Sequence, residues 1–315
     1  MRLHVILPIT SAMRVTFLLL MANTLFVISS CNKDESVINE IPYFPYIATY
    51  NCPNAPSYGD SVLCGMVIGN KDYKVLPLNN PGTGIYYSWP VGLIIDKNTG
   101  EINVSQSESG VRYTVGFVNA ESHDTCLTNV IVSGINYVDS VYVLANNDTL
   151  ARPYLNGNTQ LKASCTGNDW DDTDYPTKGR GNDKCEFDDD EDDDNGDGLW
   201  DEPLPGQRAN DQKVRVRTTT GIINLKKTLA DGAFGDDPEN GDSKDVTIYY
   251  RLKDCSQKAL RKIKVRLIYY DRKSDVPVTL LNEIRKKRQD VIEEKPLISY
   301  QRPRPPLIVI TRELQ

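Results

Sequence analysis

Histidine is nearly missing: the 315 residues contain two, His4 and His123. No C-x-x-C pair occurs, so the common Cys/His zinc sites lack a ligand set. The sequence also has no G-x-S-x-G, P-loop, H-E-x-x-H or Gly-rich dinucleotide motif. That removes most nucleophilic, phosphoryl-transfer, metalloprotease and hydride-transfer chemistry. A glycosidase needs only two carboxylates, which come from anywhere in a chain, and nothing marks two of them here. A non-catalytic protein is expected. Long helical patterns are scarce, while Gly, Pro and Tyr number 21, 18 and 17. The expected class is therefore all-β. With 39% apolar and 25% charged residues the chain is able to build a core, and its length suggests two domains.

No apolar run reaches the roughly 20 residues that a helix needs to cross a bilayer. The longest, residues 15–28, has fourteen and follows Arg2 and Arg14. This is the pattern of an export signal, with Met13 as an alternative start. It ends in Ile28-Ser29-Ser30-Cys31, which resembles the bacterial lipobox, where small residues precede a lipidated Cys. The resemblance implies that residues 1–30 are removed and that Cys31 carries a lipid anchor in the membrane, each buried methylene adding about 0.8 kcal/mol. The next residues, Asn32-Lys33-Asp34-Glu35, resemble the lipoprotein export signal of one Gram-negative phylum known for surface glycan uptake. That likeness implies an outer-membrane lipoprotein exposed on the cell surface; the periplasmic face is the alternative. Residues 31–41 read as a polar tether.

Exported chains form disulfides. Beyond Cys31 there remain Cys52, Cys64, Cys126, Cys165, Cys185 and Cys255, whose connectivity spacing does not decide. Cys52 with Cys64 is the most local pairing. Three of the six precede a domain junction near residue 138 and three follow it, so if all pair, at least one bridge joins the halves.

From residue 42 onward, short aromatic and β-branched runs alternate with turn signals. In "GLIIDKNTGEINV" two apolar runs flank residues 96–100, a hairpin in which Asn98 and Gly100 suit positive φ. In "RYTVGFV", Tyr113, Val115 and Phe117 share one face at period two. The pattern Pro90-x-Gly92-Leu93-x-Ile95-Asp96-x-x-Thr99-Gly100-x-Ile102, then Gly110-x-x-Tyr113-x-Val115, resembles bacterial cadherin-like, Ig-fold domains. Those are β-sandwiches used as spacers or adhesive modules. The likeness is close over residues 90–117 and loose over 42–138, and it implies a fold more than an activity. On it, Leu93, Ile95 and Ile102 fill a core while Asp96 and Gly100 shape a turn.

A second β-sandwich is the economical reading of residues 139–275, giving two Ig-like domains in tandem. In "KIKVRLIYY", Ile263, Val265, Leu267 and Tyr269 alternate with Lys262, Lys264 and Arg266, a strand with one wet face. Residues 276–315 hold the one amphipathic helix, with Leu280, Leu281, Ile284, Val291 and Ile292 at helical spacing. A Pro-rich C-terminal tail follows, in which "LIVIT" reads as a final strand or an exposed tail.

The second half carries a long acidic insertion, residues 165–211. Between Asp169 and Glu202 stand sixteen acidic and three basic residues, whereas 203–315 holds 24 basic and 15 acidic ones. Cys165 and Cys185 bracket an acidic cluster around Trp170 and are placed to staple it. Ca²⁺ takes 6–8 oxygen ligands, which a short loop supplies when acidic side chains recur every second residue around a turn glycine. Asp193-x-Asn195-x-Asp197-Gly198-x-x-Asp201 meets that pattern. It resembles the calcium loops of EF-hands, dockerins and thrombospondin type 3 repeats. By that likeness Asp193, Asn195, Asp197 and Asp201 offer side-chain oxygens and Leu199 a main-chain carbonyl. The EF-hand's closing Glu is replaced by Leu204 between Pro203 and Pro205, which stops a following helix and favours the dockerin or thrombospondin type. Asp190, Asp192 and Glu202 are reserve ligands, and upstream Asp188 belongs to the same run. The alternative for residues 187–192 is a solvated acidic tract.

The expected function is a calcium-stabilised adhesion or scaffold lipoprotein, with a surface protein or glycan as partner and no nucleic acid. The alternative is a glycan-binding accessory lipoprotein of a polysaccharide-uptake system. Solvent-exposed aromatics on one sheet face would favour it, the candidates being Tyr86, Tyr87, Trp89, Tyr249, Tyr250, Tyr269 and Tyr270.

Overall fold

The computed structural model describes residues 48–50, 52–66, 71–162, 185–188, 203–292 and 305–314. The expected signal, tether and Cys31 lie outside these residues, as do Cys165 and the calcium-loop candidates Asp190, Asp192, Asp193, Asn195, Asp197, Leu199, Asp201 and Glu202. The described residues are mostly strand with few helices, and Tyr46–Gln315 is one compact unit.

The first half contributes β1 (Ala48–Tyr50), β2 (Val62–Leu63), β3 (Lys74–Val75), β4 (Gly84–Trp89), β5 (Ile102–Asn103), β6 (Val111–Asn119) and β7 (Thr125–Val132). The antiparallel order β7–β6–β4 makes its main sheet, and β1 and β2 both join β7 in parallel. Alternation decides the inner face: Tyr113, Val115 and Phe117 are fully buried, as their spacing predicts. They form one core with Tyr86, Leu93, Ile102 and Val132, and Ile95 packs at its margin. Asp96 Oδ1 accepts from the main-chain N–H groups of Asn98 and Thr99 at 2.9 and 2.8 Å. Of the two residues suited to positive φ in this turn, only Gly100 uses it, at +71°.

The second half contributes β8 (Ile135–Tyr137), β9 (Ser140–Val143), β10 (Leu150–Ala151), β11 (Pro153–Leu155), β12 (Glu186–Phe187), β13 (Ile223–Asn224), α1 (Leu225–Ala230), β14 (Ser243–Arg251), β15 (Arg261–Arg272), α2 (Val278–Ile292) and β16 (Leu307–Glu313). Its sheet runs β12–β14–β15–β16–β9. One face packs Val246, Ile248, Val265 and Leu267 into the larger core. On the other, Ile284 of α2, with Leu280 and Leu281, covers Tyr270, Leu307 and Val309. The amphipathic helix therefore lies on the second half as expected.

Of the two alternatives for the C-terminal "LIVIT" run, the structure forms the strand: Leu307–Glu313 is central in the sheet, parallel to both β15 and β9. Residues 307–311 are buried in succession, as a strand covered on both faces requires. The β15–α2–β16 path is also a helical crossover, which parallel neighbours need and an antiparallel Ig-like sheet does not. Val132 packs in the first core, and Ile135 and Tyr137 in the second.

Cys52 does not pair with Cys64. Cys52 pairs with Cys126, their Cα atoms 5.7 Å apart, and Cys64 pairs with Cys255 at 5.6 Å. The parallel β1–β7 ladder sets Thr49 opposite Cys126, and the first bridge joins Cys126 to Cys52, two residues beyond β1, a juxtaposition that sequence distance cannot show. The second bridge is the one between halves that parity requires. Cys185 is disulfide-bonded too, to a partner outside the described residues.

Candidate functional site

Among the described residues the acidic insertion is seen at 185–188 and 203–211, the two stretches at the roots of its Asp-rich part, and these are tied to each other. On the first, β12 pairs with the end of β14. Phe187 is buried and stacks on Tyr250, ring centroids 6.2 Å apart at 22°. Gly221 leaves room for that ring, since a Cβ there would meet it at 2.6 Å. The Phe187 N–H donates to the Thr218 carbonyl at 2.8 Å and the Asp188 N–H to that of Tyr249 at 2.6 Å. The chain then turns at Asp188, φ +54°.

Asp188 is the centre of the arrangement. Its Oδ1 accepts from the Ala209 N–H at 2.7 Å. Its Oδ2 accepts from the Asn210 N–H at 2.7 Å and from Asn210 Nδ2 at 2.6 Å. Asn210 in turn donates to the Val216 carbonyl at 2.8 Å. Burial pushes the Asp188 carboxyl up to about 6, against hydrogen bonds from Asn210 and Ala209 that pull it down. Both oxygens are committed to the second root, so Asp188 is a clamp and not the reserve calcium ligand its place in the acidic run suggests. No local signal marked it; its partners stand 21 and 22 residues further on.

The other candidates separate clearly. Of the seven aromatics, Tyr86, Tyr249, Tyr250, Tyr269 and Tyr270 are buried. Tyr87 and Trp89 remain half-buried on the outer face of β4. They meet edge to face with centroids 5.9 Å apart, and lean over Gly116, where a Cβ would lie 3.0 Å from the Tyr87 ring. Lys262, Lys264 and Arg266 are exposed on β15, the expected wet face. Asp245 on β14 sits among them, accepting from Nε and Nη2 of Arg266 at 2.6 and 2.8 Å and paired with Lys264 at 3.0 Å. Residues 235–242 form a turn from α1 into β14, where the Glu239 N–H donates to Asp242 Oδ2 at 2.9 Å. Among the described residues no three His, Cys, Asp or Glu side chains are grouped to hold a metal, and no helix is long and apolar enough to cross a membrane.

No protein-family model matches the chain, and no curated protein matches it.

Proposed function

We propose that the protein is a non-catalytic, calcium-stabilised adhesion or scaffold module, held by lipidated Cys31 on the outer face of the outer membrane. The observation that carries the calcium part is the Asp188 clamp. A segment whose ends are already joined on a core loses less entropy when an ion orders it. The spacing of Asp193, Asn195, Asp197 and Asp201 supplies the ligands, with the Leu199 carbonyl, and Asp190, Asp192 and Glu202 stand in reserve. For the fold, we read the first half as Ig-like: the β4–β6–β7 order matches the C–F–G sheet of that architecture. The second half we read as a β domain whose sheet has gained a helical crossover.

Calorimetric titration of the soluble chain with Ca²⁺ tests this. The wild type is expected to bind, and Asp197→Ala to lose most of the heat while keeping its circular dichroism. Equal binding by the variant would remove the loop from the proposal.

Glycan binding is the second reading, favoured by the Tyr87–Trp89 pair alone. Trp89→Ala would then abolish retention on a polysaccharide affinity gel without changing the melting temperature.

A further inference from the structure

The two disulfides whose cysteines both lie among the described residues sit in unlike surroundings. Cys126 is buried, and Cys52 is half-buried. Cys64 is half-buried and Cys255 is exposed, so of the two bridges described in full this one shows an open face to a reductant. It is also the bridge with the longer reach, 191 residues, and it runs from the end of β2 in the first half to the β14–β15 turn in the second. Around it, polar contacts among the described residues join the halves. Ser133 Oγ donates to Asp254 Oδ2 at 2.5 Å, Ser109 Oγ and Tyr250 Oη share a hydrogen bond at 2.7 Å, and Arg261 Nη1 donates to the carbonyls of Val104 and Ser105. Each half keeps its own buried core.

We propose that Cys64–Cys255 is a redox latch, which a protein dithiol opens selectively, freeing the two cores to move against each other while each stays folded. The attacking thiolate bonds to Cys255 Sγ and expels Cys64 as a thiolate. The second thiol of the donor then attacks the mixed disulfide and releases Cys255. Two electrons and two protons pass to the protein, and the donor leaves as a disulfide. The inference rests on the fold and its disulfides and not on the calcium reading.

The test is a dithiothreitol series on the full chain, followed by alkylation and mass mapping of each cysteine. Cys64 and Cys255 should be labelled at about tenfold less reductant than Cys52 and Cys126, as exposed bridges are the more labile ones. The protein labelled only at that pair should melt in two steps where the oxidised protein melts in one. A Cys64→Ser/Cys255→Ser double variant should melt like the reduced protein. Labelling of Cys52 and Cys126 at the same or lower reductant overturns the proposal. So does a selectively reduced protein that still melts in one step at the oxidised protein's temperature.

Discussion

Arg261 on β15 donates from Nη1 to the main-chain carbonyl of Val104, 157 residues earlier, at 3.1 Å. The guanidinium passes over Gly65, where any Cβ would collide with it. Burial lowers the pKa of this arginine, and the carbonyls of Val104 and Ser105 supply what water no longer does. Gly65→Ala and Arg261→Met are both expected to cost about 1–3 kcal/mol, the loss of hydrogen bonds to a buried charged group. Urea unfolding of the two single variants and the double checks this. The double should cost little more than either single, because both break one contact.

Asp188→Ala leaves the N–H groups of Ala209 and Asn210 without the acceptor they now share. Each buried donor stripped of its partner costs about 1–3 kcal/mol. The variant should unfold at clearly lower urea concentration and become sensitive to protease between residues 189 and 208.

Asp245 gives a pH signature. Hydrogen bonding and charge from Arg266, with help from Lys264, pull its carboxyl down to about 2. A depressed carboxylate contributes stability above its unfolded value, near 3.8, and loses it as the pH falls through 2. Asp245→Asn should therefore be less stable than the wild type at pH 7 by about 1 kcal/mol, since the site is partly exposed. The gap should close between pH 4 and 2, as followed by urea midpoints.

The place of β16 makes a stronger prediction than a tail would. Removing residues 305–315 takes a buried strand from between β15 and β9. The truncated chain should melt at a clearly lower temperature than the full chain and lose the near-ultraviolet circular dichroism of the second core.

What the sequence discloses follows from how local each feature is. Tyr113, Val115 and Phe117, like Val265, Leu267 and Tyr269, show their inner face by simple alternation. Residues 307–311 are buried on both faces, so alternation vanishes and the sequence does not separate a final strand from an exposed tail. The β15–α2–β16 crossover and the Cys52–Cys126 and Cys64–Cys255 pairings depend on neighbours far along the chain. Asp188 reads as one more member of an acidic run, and only Ala209 and Asn210 give it a different task. Asp245 was legible in principle, because the antiparallel β14–β15 register sets it opposite Arg266.

The central claim is that calcium orders the insertion whose roots Asp188 joins. It is tested most directly by the melting temperature of the full soluble chain in EGTA and after Ca²⁺ is restored. At calcium about a hundredfold above its dissociation constant, binding to the folded state adds about 2.7 kcal/mol, which amounts to several degrees. The account predicts a lower melting temperature in EGTA, recovered by Ca²⁺ in the wild type and not in Asp197→Ala. An identical melting temperature with and without calcium would contradict it.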